Sequence, residues 1–165
     1  MYRKLIVTCV VSVVFSLLAP STAQACSCRD VIYPKLSQKK LARLVVKIAL
    51  RESDTVFSGQ VIQITPKTVS NWEKEAQVRF KVAESWKGKV GEEATVTTSV
   101  GCCGCGYSFK VGERYLVYAY RADDGLVTDA CTRTATSAQA KRDLKILAKG
   151  KGAVNGGVTF LRRKA

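Results

Sequence analysis

Apolar residues are spaced in three ways along this chain, and each spacing predicts a different element. From Leu5 to Ala19 they run almost without a break, interrupted only by Thr8, Cys9, Ser12 and Ser16. Between residues 35 and 52 they recur at helical spacing. Leu41, Leu44, Val45 and Ile48 predict one apolar face of a helix, and Pro34 just ahead suits a helix start. Lys35, Lys39, Arg43, Lys47 and Arg51 are spaced by four along another side. From Asp54 the pattern becomes that of strands. Residues 55–64 are rich in Val, Ile and Phe, and in 77–86 Val78, Phe80 and Val82 alternate with Gln77, Arg79 and Lys81. Further strands are predicted over 94–100, 114–120 and 125–130, the fourth apolar on both faces and therefore central. Pro66, Asn71, Lys87-Gly88, Gly91, Gly112 and Asp124-Gly125 punctuate them as turns. A second helix is predicted over 137–149, capped by Thr136 or Ser137 and ended by Gly150, with Ala140, Leu144 and Leu147 facing inward.

Five short strands with short connections, read as antiparallel, close most simply into a small barrel flanked by the two helices. That is the outline of an OB-like barrel, although periodicity alone does not choose the OB topology. No internal repeat or linker divides the chain.

The apolar run near the start is about 15 residues, short of the roughly 20 that a membrane-spanning helix needs. Arg3 and Lys4 precede it and Ala23-Gln24-Ala25 follows it, the three parts of a secretory signal. Residues 1–25 are therefore read as a signal peptide, 26–149 as one domain and 150–165 as a Gly-rich, basic, flexible tail. The chain carries a net charge of +14, and the signal removes only Arg3 and Lys4 from it. Such a charge attracts anionic lipid, envelope polysaccharide or an acidic protein. No nucleic acid partner is expected for a secreted, periplasmic or extracellular protein. The stripe of Lys35, Lys39, Arg43, Lys47 and Arg51 reads either as a docking surface for an anionic partner or as the solvated back of a helix packed on a sheet.

Loss of Cys9 with the signal leaves Cys26, Cys28, Cys102, Cys103, Cys105 and Cys131. An even number in an exported domain favours disulfides, because that compartment is oxidising. Spacing does not choose among the many pairings that these cysteines allow. Cys102 and Cys103 are adjacent, and Cα atoms about 3.8 Å apart fall below the usual disulfide range of about 4.4–6.8 Å. The sequence has no histidine. That removes the Ser-His-Asp triad, the Cys-His pair and every His-based metal site. The chain is read as a binding protein without a cofactor or metal of its own, and not as an enzyme.

Three stretches, taken in order, resemble a known family. They are Cys26-Ser27-Cys28 at the new N-terminus, "SDTVFSGQVI" over 53–62, and "CGYSFKVGERYLVYAYRADDGLVTDACTRT" over 105–134. Together they are similar to the N-terminal, netrin-like domain of the tissue inhibitors of metalloproteinases, and closest to small bacterial secreted proteins of that pattern. The resemblance implies a five-stranded OB-like barrel and the disulfides Cys26–Cys105 and Cys28–Cys131, which leaves Cys102 and Cys103 unassigned. It also implies a chemistry. The amine nitrogen and carbonyl oxygen of Cys26 would chelate the catalytic zinc of a target metalloprotease in place of its water. Ser27 would point toward the pocket beyond the scissile bond. The chain departs from the animal members in Arg29-Asp30, in its long helix before the first strand, and in the extra Cys102 and Cys103. It also lacks the family's third disulfide and C-terminal domain.

Other readings of the same cysteines stand beside this one. Cys26 and Cys28 could simply staple the N-terminus to an OB-type binding module. Cys26 could be acylated as in a lipoprotein, or the cysteines could gather thiolates around a soft metal ion.

Overall fold

The computed structural model describes residues 26, 28, 36–69, 74–101 and 105–154. The expected signal peptide, Ser27, Lys35, Asn71, Cys102, Cys103 and the tail beyond 154 lie outside the described residues. The elements in order are α1 (Gln38–Glu52), β1 (Thr55–Thr68), β2 (Lys74–Lys87), β3 (Glu93–Val100), β4 (Arg114–Ala122), β5 (Gly125–Val127), β6 (Ala135–Thr136) and α2 (Lys141–Val154). Among the described residues the fold is mainly β, a six-stranded sheet with two helices.

The strands are ordered β1-β2-β3-β5-β4-β6, and an added β1–β4 pairing joins five of them in a ring. The expectation that all five pair antiparallel is corrected. β3 and β5 run parallel, with Val96 opposite Leu126 and Thr97 opposite Val127. The reason is parity: directions cannot alternate around a ring of five, so one neighbouring pair must run the same way. β1 serves two neighbours at once, pairing with β4 over Thr55–Gln60 and with β2 along most of its length. Three register shifts, the last between Val61 and Gln63, bend it from one partner to the other. Pro66, expected at a turn, instead lies in β1 opposite Ala76. Beyond Val61, whose N–H donates to the Glu113 carbonyl and whose carbonyl accepts from the Gly112 N–H, β1 has no β4-side backbone partner among the described residues, and proline is tolerated on such an edge.

The ring's interior is one core and its helix-covered face is another. Phe57, Val61, Val78, Phe80, Val96, Tyr115 and Val117 fill the interior. The Phe80 ring meets Phe57 edge-on at 5.4 Å and Phe109 at 5.3 Å. Val46, Val56, Leu116, Tyr118, Ala140 and Leu147 form the second core between sheet and helices. β4 feeds both cores, so Tyr115 through Ala119 are all buried, as its unbroken apolar run predicts.

The helices differ in detail from their sequence reading. In α1 the buried residues are Ala42 and Val46, with Ala49 and Leu50 packed beside them. Leu41, Leu44, Val45 and Ile48, expected as the core face, lie half-buried on the flanks. Lys87 from β2 donates to the carbonyls of Leu50 (2.9 Å) and Arg51 (3.1 Å), closing the C-terminal end of α1. In α2, Ala140 just ahead and Leu147 are buried, and Leu144 packs against them. The helix continues through Gly150 to Val154. A helical glycine costs about 1 kcal/mol against alanine but does not force a stop.

Candidate functional site

Two disulfides tie the start of the domain to two separate segments. Cys26 is bonded to Cys105 with Cα atoms 5.6 Å apart, and Cys28 to Cys131 with Cα atoms 5.1 Å apart. Cys26 is exposed and Cys28 is half-buried. The two receiving segments are themselves joined, because the Ala130 N–H donates to the Cys105 carbonyl at 2.7 Å. Residues 26 and 28 are therefore fastened to one composite surface at two points.

The first receiving segment, 105–110, lies directly on the backbone of β3. A Cβ added at Gly106 would stand 1.6 Å from the Ser99 carbonyl oxygen, so only glycine fits between Cys105 and Tyr107. The next N–H, that of Tyr107, donates to Thr98 Oγ1 at 2.7 Å. The Tyr107 ring then packs against Phe109 (4.8 Å) and Tyr115 (6.0 Å). Tyr115 Oη accepts from the Lys110 N–H at 3.0 Å and donates to Glu113 Oε2 at 2.7 Å. Burial, reinforced by the hydrogen bond to Glu113, pushes the Tyr115 phenol up to about 12.

The second segment, 128–134, is held by threonines rather than by a ladder. The Thr128 N–H still donates to the Thr97 carbonyl of β3 at 3.0 Å, and past it the chain leaves the sheet, which is why β5 is shorter than its expected 125–130. Thr128 Oγ1 donates to the Tyr118 carbonyl at 2.9 Å, and Thr134 Oγ1 accepts from the Tyr118 N–H at 3.0 Å. The two hydroxyls lie 2.8 Å apart. Between them Asp129 makes a side-chain turn, its Oδ1 accepting from the N–H groups of Cys131 (2.8 Å) and Thr132 (2.7 Å). Tyr120 donates to Asp129 Oδ2 at 3.3 Å. Burial, followed by the Asp129 charge, raises the Tyr120 phenol above its ordinary value. Arg133 closes the segment onto α2 with a two-point contact to the buried Asp143, Nε to Oδ2 at 2.5 Å and Nη2 to Oδ1 at 3.1 Å.

Two cavities border this assembly. One of 480 Å³ opens between Val45 and Ile48 of α1 and Tyr120, Asp129 and Cys131. The other, of 360 Å³, lies at the end of the ring beside Gly106 and Tyr107. The residues named from sequence fall in two places. Cys26, Cys28, Cys105 and Cys131 come together, whereas Lys39, Arg43, Lys47 and Arg51 are exposed on α1. Sequence reasoning missed Gly106, the Thr128–Asp129–Thr134 lattice and the Arg133–Asp143 pair. Asp129, two residues before Cys131, carried the one readable signal, that of a side-chain turn. Among the described residues no three His, Cys, Asp or Glu side chains are grouped to hold a metal ion. No protein-family model matches the chain, and no curated protein matches it.

Proposed function

We propose that this is an exported inhibitor of zinc metalloendopeptidases that works through the backbone of its first mature residue, Cys26. The observation that carries the reading is the double tether. Cys26 is exposed, yet its own disulfide and that of Cys28 fix it to segments locked on β3 and α2. A terminus held this way loses little freedom on binding, so most of the interaction energy remains available for affinity. The ring of five strands, closed by β1–β4 with one parallel pair, supports the OB-like outline of the inhibitors that the sequence resembles. The two disulfides are consistent with an oxidising location outside the cytoplasm.

Removal of residues 1–25 would give Cys26 a free amine. That nitrogen and the Cys26 carbonyl oxygen would chelate the target's zinc and displace the water it activates. Ser27 would enter the adjoining pocket and set selectivity. A lipid on the Cys26 sulfur and the Cys26–Cys105 bond exclude one another, so the acylated reading requires a different molecule from the one described.

The test is a titration of the mature protein against a panel of secreted zinc endopeptidases, with an N-terminally acetylated sample alongside. The reading expects stoichiometric inhibition of at least one enzyme and its loss on acetylation. Equal inhibition by both samples would move the active surface elsewhere. No inhibition across the panel would leave a stapled binding module.

A further inference from the structure

The second helix changes the meaning of the basic stripe on the first. A groove of 450 Å³ runs between the helices, walled by Lys39, Arg43 and Lys47 from α1 and by Arg142, Lys145 and Lys149 from α2. Ala42 and Ile146 lie at its base. Among the described residues no carboxylate lines it. The two acids of these helices lie elsewhere: Glu52 borders the cavity beside Cys131, and Asp143 is buried against Arg133. Among the described residues none of the six cations is in an ion pair. Arg51, which sequence spacing alone put in the stripe, is not part of the groove.

Like charges at this spacing repel, and here no acid offsets them. The helices are held together instead by the apolar contacts of Val46 and Leu147. From Lys39 to Lys47 the cationic wall extends about 12 Å along α1 at the helical rise per residue. We infer that this groove binds an extended acidic polysaccharide, lying between the helices with its charges met from both walls. The shape and lining favour that occupant over the other polyanions. A groove walled on two sides suits a strand rather than a flat bilayer, and among the described residues no large exposed apolar side chain lines it to enter a membrane. Among the described residues no aromatic side chain lines it to stack bases, as single-stranded nucleic acid sites do. The inference is independent of protease inhibition.

The test uses the mature protein and linear oligogalacturonate as the probe, with phosphatidylglycerol vesicles and a single-stranded oligonucleotide as comparison ligands. Two triple variants of equal charge are compared. Arg43→Glu, Lys47→Glu and Lys145→Glu change the groove. Lys40→Glu, Lys89→Glu and Lys141→Glu change exposed cations outside it. Oligogalacturonate binding is expected to weaken steeply with salt and to fall about tenfold or more in the groove variant, but by less than about threefold in the control. A groove triple made with Gln, checked by its unchanged thermal unfolding, should lose binding in the same order. Equal losses in groove and control variants would reduce the site to diffuse net charge and overturn the inference. So would vesicle or oligonucleotide binding without oligogalacturonate binding, or no binding to any of the three.

Discussion

The disulfide-linked tip and the helix groove are built by opposite means. At the tip, backbone groups without a strand partner are met by side chains: Tyr118 on its outer edge by Thr128 and Thr134, Cys131 and Thr132 by Asp129, Tyr107 by Thr98. Two crosslinks and a glycine with no room for a methyl group complete it. Directional contacts of this kind fix position and suit a surface that must meet its target in one geometry. The groove has none of them. Its helices meet through Val46, Leu147 and their neighbours, and its cations point outward without partners among the described residues. Such a surface draws in anions over a distance but tolerates variation in what it holds. Stability should therefore be sensitive at the tip and nearly indifferent at the groove.

The contrast can be broken at graded strengths. Replacing Cys28 and Cys131 together by Ala removes a crosslink spanning 103 residues and should cost about 4 kcal/mol in denaturant unfolding under the chain-entropy account. Gly106→Ala should cost about 3 kcal/mol, since the new methyl group can be accommodated only by lifting 105–107 off Ser99. A Gly106→Ala protein as stable as the parent would contradict the close approach. Asp143→Ala should cost about 1–2 kcal/mol, less than a fully buried pair because Arg133 retains solvent contact. At alkaline pH, Tyr115 adds a titration. Its folded pKa of about 12 lies above its unfolded value, so its contribution is complete below about 10 and is lost as pH rises toward 12. Tyr115→Phe should flatten that loss in a pH series of melting temperatures. At the other extreme, Arg43→Gln with Lys145→Gln should raise stability by about 0.5 kcal/mol, as relief of repulsion requires. A clear loss instead would mean that the groove cations hold the helices together.

Much of the fold was legible because periodicity reports burial. The unbroken apolar run of β4 gave its central place, and the alternation of Val78, Phe80 and Val82 gave β2. Other features depend on relations between distant segments. The parallel β3–β5 pair follows from closing a ring, not from either strand's composition. The face of α1 that carries Ala42 and Val46 is buried in place of the leucine face because helix rotation is set by packing on α2 as well as on the sheet. Pro66 reads as a turn until the unpaired edge of β1 is known. At the tip, the spacing of the cysteines did not select their pairing, and the resemblance alone suggested one. Gly106 gave no local signal, since what excludes a side chain there is the Ser99 carbonyl on another strand. The groove needed both helices, and α1 displayed only half of it.

The most direct measurement compares two forms of the protein that differ by one residue, the mature chain beginning at Cys26 and a form in which Ala25 is retained. Non-reducing peptide mapping should recover Cys26–Cys105 and Cys28–Cys131 from both, because the extra residue adds and removes no cysteine. The inhibition constant against a susceptible zinc endopeptidase should nevertheless separate them. The mature form is expected to inhibit, more tightly as pH rises through the amine's usual range of about 7.7–8.0. The extended form, whose Cys26 nitrogen is an amide, should not inhibit. Equal inhibition constants in two correctly bonded proteins would contradict the claim that the Cys26 backbone is the working end of the molecule.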